Sequence, residues 1–105
     1  MKKHVLYTPQ ADAYLRSLPE SVQCEFVARF STLEEDGYLE FPAARKLDRG
    51  LFEVRVAMEG NAYRTFYCYA SGDDIWALSG FTKKTRKTPL QEITKALCIK
   101  RRLGL

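Results

Sequence analysis

Histidine is almost absent from this chain of 105 residues: His4 is the only one. Ribonuclease mechanisms that pass protons between two histidines are therefore excluded. Cysteine is scarce and scattered. Cys24, Cys68 and Cys98 have no CxxC spacing and one histidine to help them, so no metal site is expected. Their odd number argues against a disulfide framework, and they read as reduced packing residues. No apolar run approaches the ~20 residues of a membrane span. The first residues, MKKHVLYTPQADAY, carry two lysines but no apolar core of a secretory signal. The expectation is a cytoplasmic protein with no membrane partner. Internal repeats, linkers and low-complexity stretches are missing too. Acidic residues nearly vanish from the C-terminal end. Residues 83–105 hold eight Lys/Arg and one acid, a balance of +7, against −3 for residues 1–40 and five of each sign in residues 41–82. Such density attracts polyanions over about a Debye length. A solvated helix face with a frayed basic tail has the same composition.

What is present is ordinary for a globular domain: 46% hydrophobic and 29% charged residues. The length fits one domain, residues 1–105, burying roughly two-thirds of its unfolded surface around a single core.

The organising stretch is LFEVRVAMEGNAYRTFYCY. Leu51–Ala57 and Ala62–Tyr69 are rich in β-branched and aromatic residues, and Gly60 and Asn61 between them tolerate positive φ. Strand side chains alternate faces, so Phe52, Val54 and Val56 share one and Glu53 and Arg55 the other. If Met58 and Asn61 flank a two-residue turn at Glu59-Gly60, Val54 faces Thr65 and Arg55 faces Arg64. Directly opposed like charges destabilise a sheet. Two facing guanidiniums imply an anion for them to hold: a phosphate, which suits arginine's planar fork, or a nearby carboxylate such as Glu53.

His4–Thr8 reads as a short first strand. Thr8 as N-cap and Pro9 at the first position start a helix that runs to about Leu18, with Tyr14, Leu15 and Leu18 on one side, and Pro19 breaks it. A second helix over Glu20–Asp36 follows from the 3.6 period of Val22, Phe26, Val27, Phe30 and Leu33, with Gly37 past its end. Residues 38–50 read as irregular, with Pro42 and the cluster Arg45, Lys46 and Arg49. Ile75–Phe81 is apolar on both faces and belongs inside the sheet. After the basic loop FTKKTRKTP, Thr88 and Gln91 make a capping box. The last helix runs from Pro89 to about Leu103 on a stripe of Leu90, Ile93 and Leu97. The order β-α-α-β-β-β-α predicts an α+β fold with an antiparallel sheet, the helices packed on one face and the face of Arg55 and Arg64 open to a ligand.

The segments KLDRGLFEVRV, YRTFYCY and ALSGFTKKTRKTPLQEI resemble the HigB-like branch of the RelE/ParE toxin superfamily, which includes phage-derived relatives. The likeness runs from His4 to about Leu97, and GFTKKT…TP after a YR strand is its specific part. The resemblance implies a RelE-like fold. It also implies the toxin of a type II toxin–antitoxin system, an endoribonuclease that cuts mRNA in the ribosomal A site and inhibits translation. Its implied partners are a cognate helix-turn-helix antitoxin, the ribosome with its mRNA, and 16S rRNA; no cofactor is implied. Arg64 matches the family's strand-3 arginine, which resembles a transition-state clamp. Arg55 sits where relatives carry a basic residue, and Lys83 and Lys84 match the basic pair after the last strand. Better-studied RelE relatives place a tyrosine beyond that pair, where this chain reads Thr88-Pro89-Leu90.

The chemistry agrees with the resemblance. Without a metal, RNA is cut when the 2′-OH attacks its own phosphate. One group takes the proton, cations stabilise the phosphorane, and the leaving oxygen is protonated. Arg64, Lys84, Lys83 and Arg55 are the catalytic candidates, with Glu53 near them: Arg64 and Lys84 are expected to carry most of the rate, and Arg55 and Lys83 to hold the phosphates on either side of the scissile bond. Arg45, Lys46, Arg49, Arg86 and Lys87 are the candidates for holding RNA. A lysine crowded by arginines has a lowered pKa and can move a proton; simple phosphate anchoring is the other reading of Lys83 and Lys84. Tyr63, Tyr67 and Tyr69 are expected in the core, and His4 at the surface. Two further functions remain open: a ParE-like toxin that inhibits DNA gyrase, and a non-catalytic RNA- or protein-binding domain.

Overall fold

The computed structural model describes residues 2–83 and 87–105; Lys84 and Arg86 lie outside the described residues. The elements are β1 (His4–Tyr7), α1 (Pro9–Arg16), α2 (Glu20–Asp36), β2 (Ala44–Lys46), β3 (Phe52–Met58), β4 (Asn61–Tyr69), β5 (Asp74–Lys83) and α3 (Leu90–Arg102). The strands form one sheet in the order β1-β5-β4-β3-β2. All neighbours are antiparallel except β1 and β5, which run parallel. No described helix is long and apolar enough to cross a membrane.

Local chemistry accounts for most of these boundaries. The Ala11 N–H donates to Thr8 Oγ1 at 3.0 Å, and Pro9 opens α1, as the cap pattern predicts. α2 ends on Gly37 in the left-handed conformation, at φ 82°. Glu59 at φ 51° and Gly60 at φ 79° make the turn of the β3–β4 hairpin, both left-handed as a type I′ turn requires. The register then follows: Met58 opposite Asn61, Val54 opposite Thr65, Arg55 opposite Arg64.

One face of the sheet buries Val54, Val56, Tyr63, Tyr67, Ile75 and Ala77 against α1 and α2, through Ala11, Val22, Phe26, Phe30 and Leu33. Each large apolar side chain buried there contributes roughly 1.5–3 kcal/mol. The opposite face buries Leu51, Phe66, Cys68, Leu78 and Phe81 against Ala96 and Ile99 of α3. The α+β class and antiparallel core hold, but the helices stand on both faces rather than on one. The reason is in β4, where Phe66 and Cys68 alternate with Tyr67: both faces of that strand are apolar and both need cover.

Four other local expectations change. The stretch read as irregular contains β2, which pairs Ala44, Arg45 and Lys46 with Val54, Glu53 and Phe52. The capping box does not form. α3 begins at Leu90 with Pro89 at its N-cap, which leaves Thr88 one residue short of the cap position, and the Thr88 hydroxyl donates instead to Glu53 Oε2 at 3.0 Å. Leu90 is exposed, and the helix packs instead through Ile93, Ala96, Leu97 and Ile99. Of the cysteines only Cys68 is buried, which pushes its thiol pKa up; Cys24 and Cys98 are exposed.

A bulge in β5 decides which residues reach the charged face. Phe66 pairs with Ser79 but Tyr67 with Ala77, so Leu78 is the extra residue. One extra residue reverses the alternation beyond it. Phe81 and Lys83 thereby join the face of Phe66 and Arg64. α1 braces this segment. The Thr8 N–H donates to the Ala77 carbonyl at 3.1 Å, the Thr8 hydroxyl to the Leu78 carbonyl at 2.6 Å, and the Tyr14 hydroxyl to the Phe81 carbonyl at 2.7 Å. The Tyr14 ring lies over Gly80, where a Cβ would stand 2.1 Å from Cδ2. Burial pushes the Tyr14 phenol up to about 12, so it stays a donor. Thr8→Val is expected to lose both the cap and the partner of the Leu78 carbonyl. Urea unfolding should show a loss of about 2 kcal/mol; an unchanged midpoint would contradict the bracing role.

Candidate functional site

The site grows from four adjacent strands. On the charged face Arg45 of β2 stands opposite Glu53 of β3, and Arg55 of β3 opposite Arg64 of β4. Arg64 in turn stands opposite Phe81 of β5, with Lys83 two residues further along the same face. The anion between the facing guanidiniums is the carboxylate of Glu53. Its Oε1 lies 3.5 Å from Arg64 Nε and 3.9 Å from Arg55 Nε. The side chains of Glu53 and Arg64 are 1% and 4% exposed, that of Arg55 21%. Oε1 and Arg64 Nε are ion-paired, but among the described residues neither has a hydrogen-bond partner. One carboxylate cannot neutralise two guanidiniums with Arg45 and Lys83 beside them, so the face keeps a surplus of positive charge.

That crowding shows in the titrations. Burial, then the neighbouring Arg55 guanidinium, lowers the Arg64 pKa below the ordinary arginine value, against the pull of Glu53. Desolvation, then Arg64, lowers Lys83 below the usual lysine value; Glu53 opposes this and Lys87 adds to it. The Lys83 ammonium also stands 6.0 Å from the Phe81 ring centroid.

A groove of about 860 Å³ reaches Arg55 and Arg64 from the hairpin end, past Phe41, Met58 and Asn61, with Arg29 of α2 on its wall. It lies along β3 beyond Val54, the last β3 residue that pairs with β2. The Arg55 guanidinium stands 5.5 Å from the centroid of the Phe41 ring. No cluster of metal-ligating side chains occurs among the described residues.

Of the candidates read from the sequence, Arg45, Arg55, Arg64 and Lys83 are brought together, with Lys87 close enough to act on Lys83. Lys84 and Arg86 lie outside the described residues. Lys46 pairs with Phe52 and so alternates to the other face from Arg45. Arg49 sits in the β2–β3 connection at φ 59° and does not line the groove. His4 is exposed on β1, at the opposite edge of the sheet from β2. Tyr63, Tyr67 and Tyr69 face the core under α1 and α2. Sequence reasoning missed Phe41, Arg29 and Asn61. Nothing local marks them, since they meet only where the short β2 leaves the end of β3 uncovered.

A family model described as "Phage derived protein Gp49-like" matches residues 13–101. No curated protein matches the chain in sequence. Solved structures that share its fold include three of toxins or their complexes. The toxin–antitoxin complex RelBE2 from Mycobacterium tuberculosis contains a chain with TM-score 0.61 and 20% identity, over 79% of this chain and 100% of that one. A mutant of the E. coli toxin RelE in the free state gives TM-score 0.71 at 15% identity, over 96% and 98%. The intact E. coli RelBE toxin–antitoxin complex gives 0.62 at 15%, over 81% and 99%.

Proposed function

The chain belongs to the phage-derived Gp49-like family, and we propose that it is the toxin of a type II toxin–antitoxin pair, a HigB-like endoribonuclease that cuts mRNA on the ribosome without a metal. One observation carries this reading: four strands and a bulge gather Arg45, Arg55, Arg64 and Lys83 around a single buried carboxylate, leaving a cationic surplus in reach of a groove. The toxin–antitoxin complexes that share its fold support an antitoxin partner, which the family resemblance makes a helix-turn-helix protein. Such a toxin acts in the cytoplasm.

In the proposed reaction a 2′-OH attacks the adjacent phosphorus as neutral Lys83 takes its proton. Arg64 stabilises the charge that builds on the phosphorane oxygens. The 5′ oxygen leaves with its bonding electron pair and takes a proton from water; a 2′,3′-cyclic phosphate remains. Arg55 and Arg45 hold flanking phosphates. Lys84, the neighbour of Lys83, is the second candidate for the proton.

Single-turnover cleavage on mRNA-programmed ribosomes tests both the function and the base. The wild-type chain should cut there, and cut isolated RNA slowly or not at all. Because only neutral lysine accepts a proton, log rate should climb with pH and level off at the Lys83 value, below the ordinary 10.5. Lys83→Arg should remove the slope. A slope that survives this change would shift the proton to another group. Growth arrest without mRNA cleavage would put the gyrase reading ahead.

A further inference from the structure

An exposed phenylalanine beside a cluster of arginines calls for a reason. Phe41 is 71% exposed, in a connection that could as easily carry a polar residue. Its ring is not idle: the Arg55 guanidinium lies 5.5 Å from its centroid, at the rim of the groove that leads to Arg64. Two further groups on that groove have unused hydrogen-bonding capacity. Arg29 Nε is buried without a hydrogen-bond partner among the described residues, and its Nη2 makes a 4.0 Å ion pair with Glu25. The Asn61 amide donates to the Tyr63 hydroxyl at 3.3 Å, which leaves its carbonyl oxygen for a ligand.

We propose that Phe41 is a stacking platform for an unpaired nucleobase of a single-stranded RNA whose phosphates lie on Arg55 and Arg64. The chemistry of the groove selects this ligand. A flat ring open on its face, flanked by guanidiniums, suits a molecule that alternates aromatic planes with anions, and single-stranded nucleic acid is such a molecule. A base laid on Phe41 continues the cation–π contact that Arg55 already makes. Asn61 then meets the base edge, and Arg29 the outer wall. The role in catalysis rests on the endonuclease reading; the binding itself does not.

The experiment measures binding of a fluorescein-labelled single-stranded RNA pentamer, with polyphosphate as a base-free polyanion, beside cleavage on programmed ribosomes. Phe41→Ala should weaken pentamer binding by about tenfold, within the range that base–aromatic stacking supports. Phe41→Trp should retain it. Affinity for polyphosphate and the salt dependence of binding should be the same in all three proteins, because no phosphate contact is lost. On ribosomes Phe41→Ala should raise the toxin concentration needed for half-maximal cleavage and leave the saturating rate alone. Equal pentamer binding by wild type and Phe41→Ala overturns the platform, as does an equal loss of polyphosphate affinity. A variant that keeps RNA binding but loses its antitoxin assigns the ring to a protein partner and also overturns it. If the pentamer results hold while the wild-type chain cuts nothing on ribosomes, the platform stands and the endonuclease reading fails.

Discussion

Replacing Arg64 with alanine is expected to slow single-turnover cleavage on programmed ribosomes by about 10²–10³-fold while leaving ribosome binding nearly unchanged. The size follows from burial. The Arg64 side chain is 4% exposed, so its charge acts on a phosphorane through little water. Its position is held by strand pairing with Arg55 and Phe81 and by the Glu53 ion pair, so little reorganisation is needed during the reaction. Arg64→Lys should recover only part of the rate, because an ammonium lacks the planar fork. Arg55, more exposed and at the groove, should behave differently: Arg55→Ala should weaken binding with a strong salt dependence and affect the saturating rate less. Wild-type cleavage by Arg64→Ala would remove Arg64 from the chemistry and, with it, the main support for the endonuclease reading.

The second large effect is on stability. Glu53→Leu should lower the unfolding free energy by about 3–5 kcal/mol, since it strands the buried Arg64 guanidinium beside Arg55 without a counter-charge. It also removes the acceptor of the Thr88 hydroxyl, the tie between β3 and the start of α3. Adding Arg64→Met to Glu53→Leu should restore most of the loss, because an apolar pair replaces a broken ionic one. Urea unfolding of the two single variants and the double variant gives the coupling directly. If Glu53→Leu alone unfolds at the wild-type midpoint, the carboxylate does not hold the cluster together. The double variant should fold and still fail to cut, which separates the stabilising part of the cluster from its chemistry.

Glu53 also shows where reading the sequence stops. The facing arginines called for an anion, and both a phosphate and Glu53 answered the requirement. Alternation places Glu53 on the right face, two residues before Arg55, but alternation does not measure burial. That Glu53 is 1% exposed, with Thr88 on its second oxygen, depends on β2 and on the approach to α3. Thr88 shows the same limit: α3 starts one residue later than the local pattern predicts, with Pro89 at its N-cap, and the Thr88 hydroxyl meets Glu53, a partner distant in sequence.

What the sequence determined by itself is the part governed by neighbours along the chain. Thr8-Pro9 starts α1, the 3.6 period and Gly37 bound α2, and the Glu59-Gly60 turn sets the hairpin register. Arg55 therefore faces Arg64, because a two-residue turn and period-two alternation leave no other partner. What only the tertiary structure decided depends on partners distant in sequence. β2 exists because β3 offers an edge to it, and α3 crosses to the second face because Phe66 and Cys68 need cover there. The bulge at Leu78 exists where α1 can accept it, with Thr8 on the Leu78 carbonyl and Tyr14 over Gly80. Strict alternation would have turned Lys83 toward α1. A single extra residue turns it to Arg64 instead, because in a strand a shift of one position exchanges the two faces.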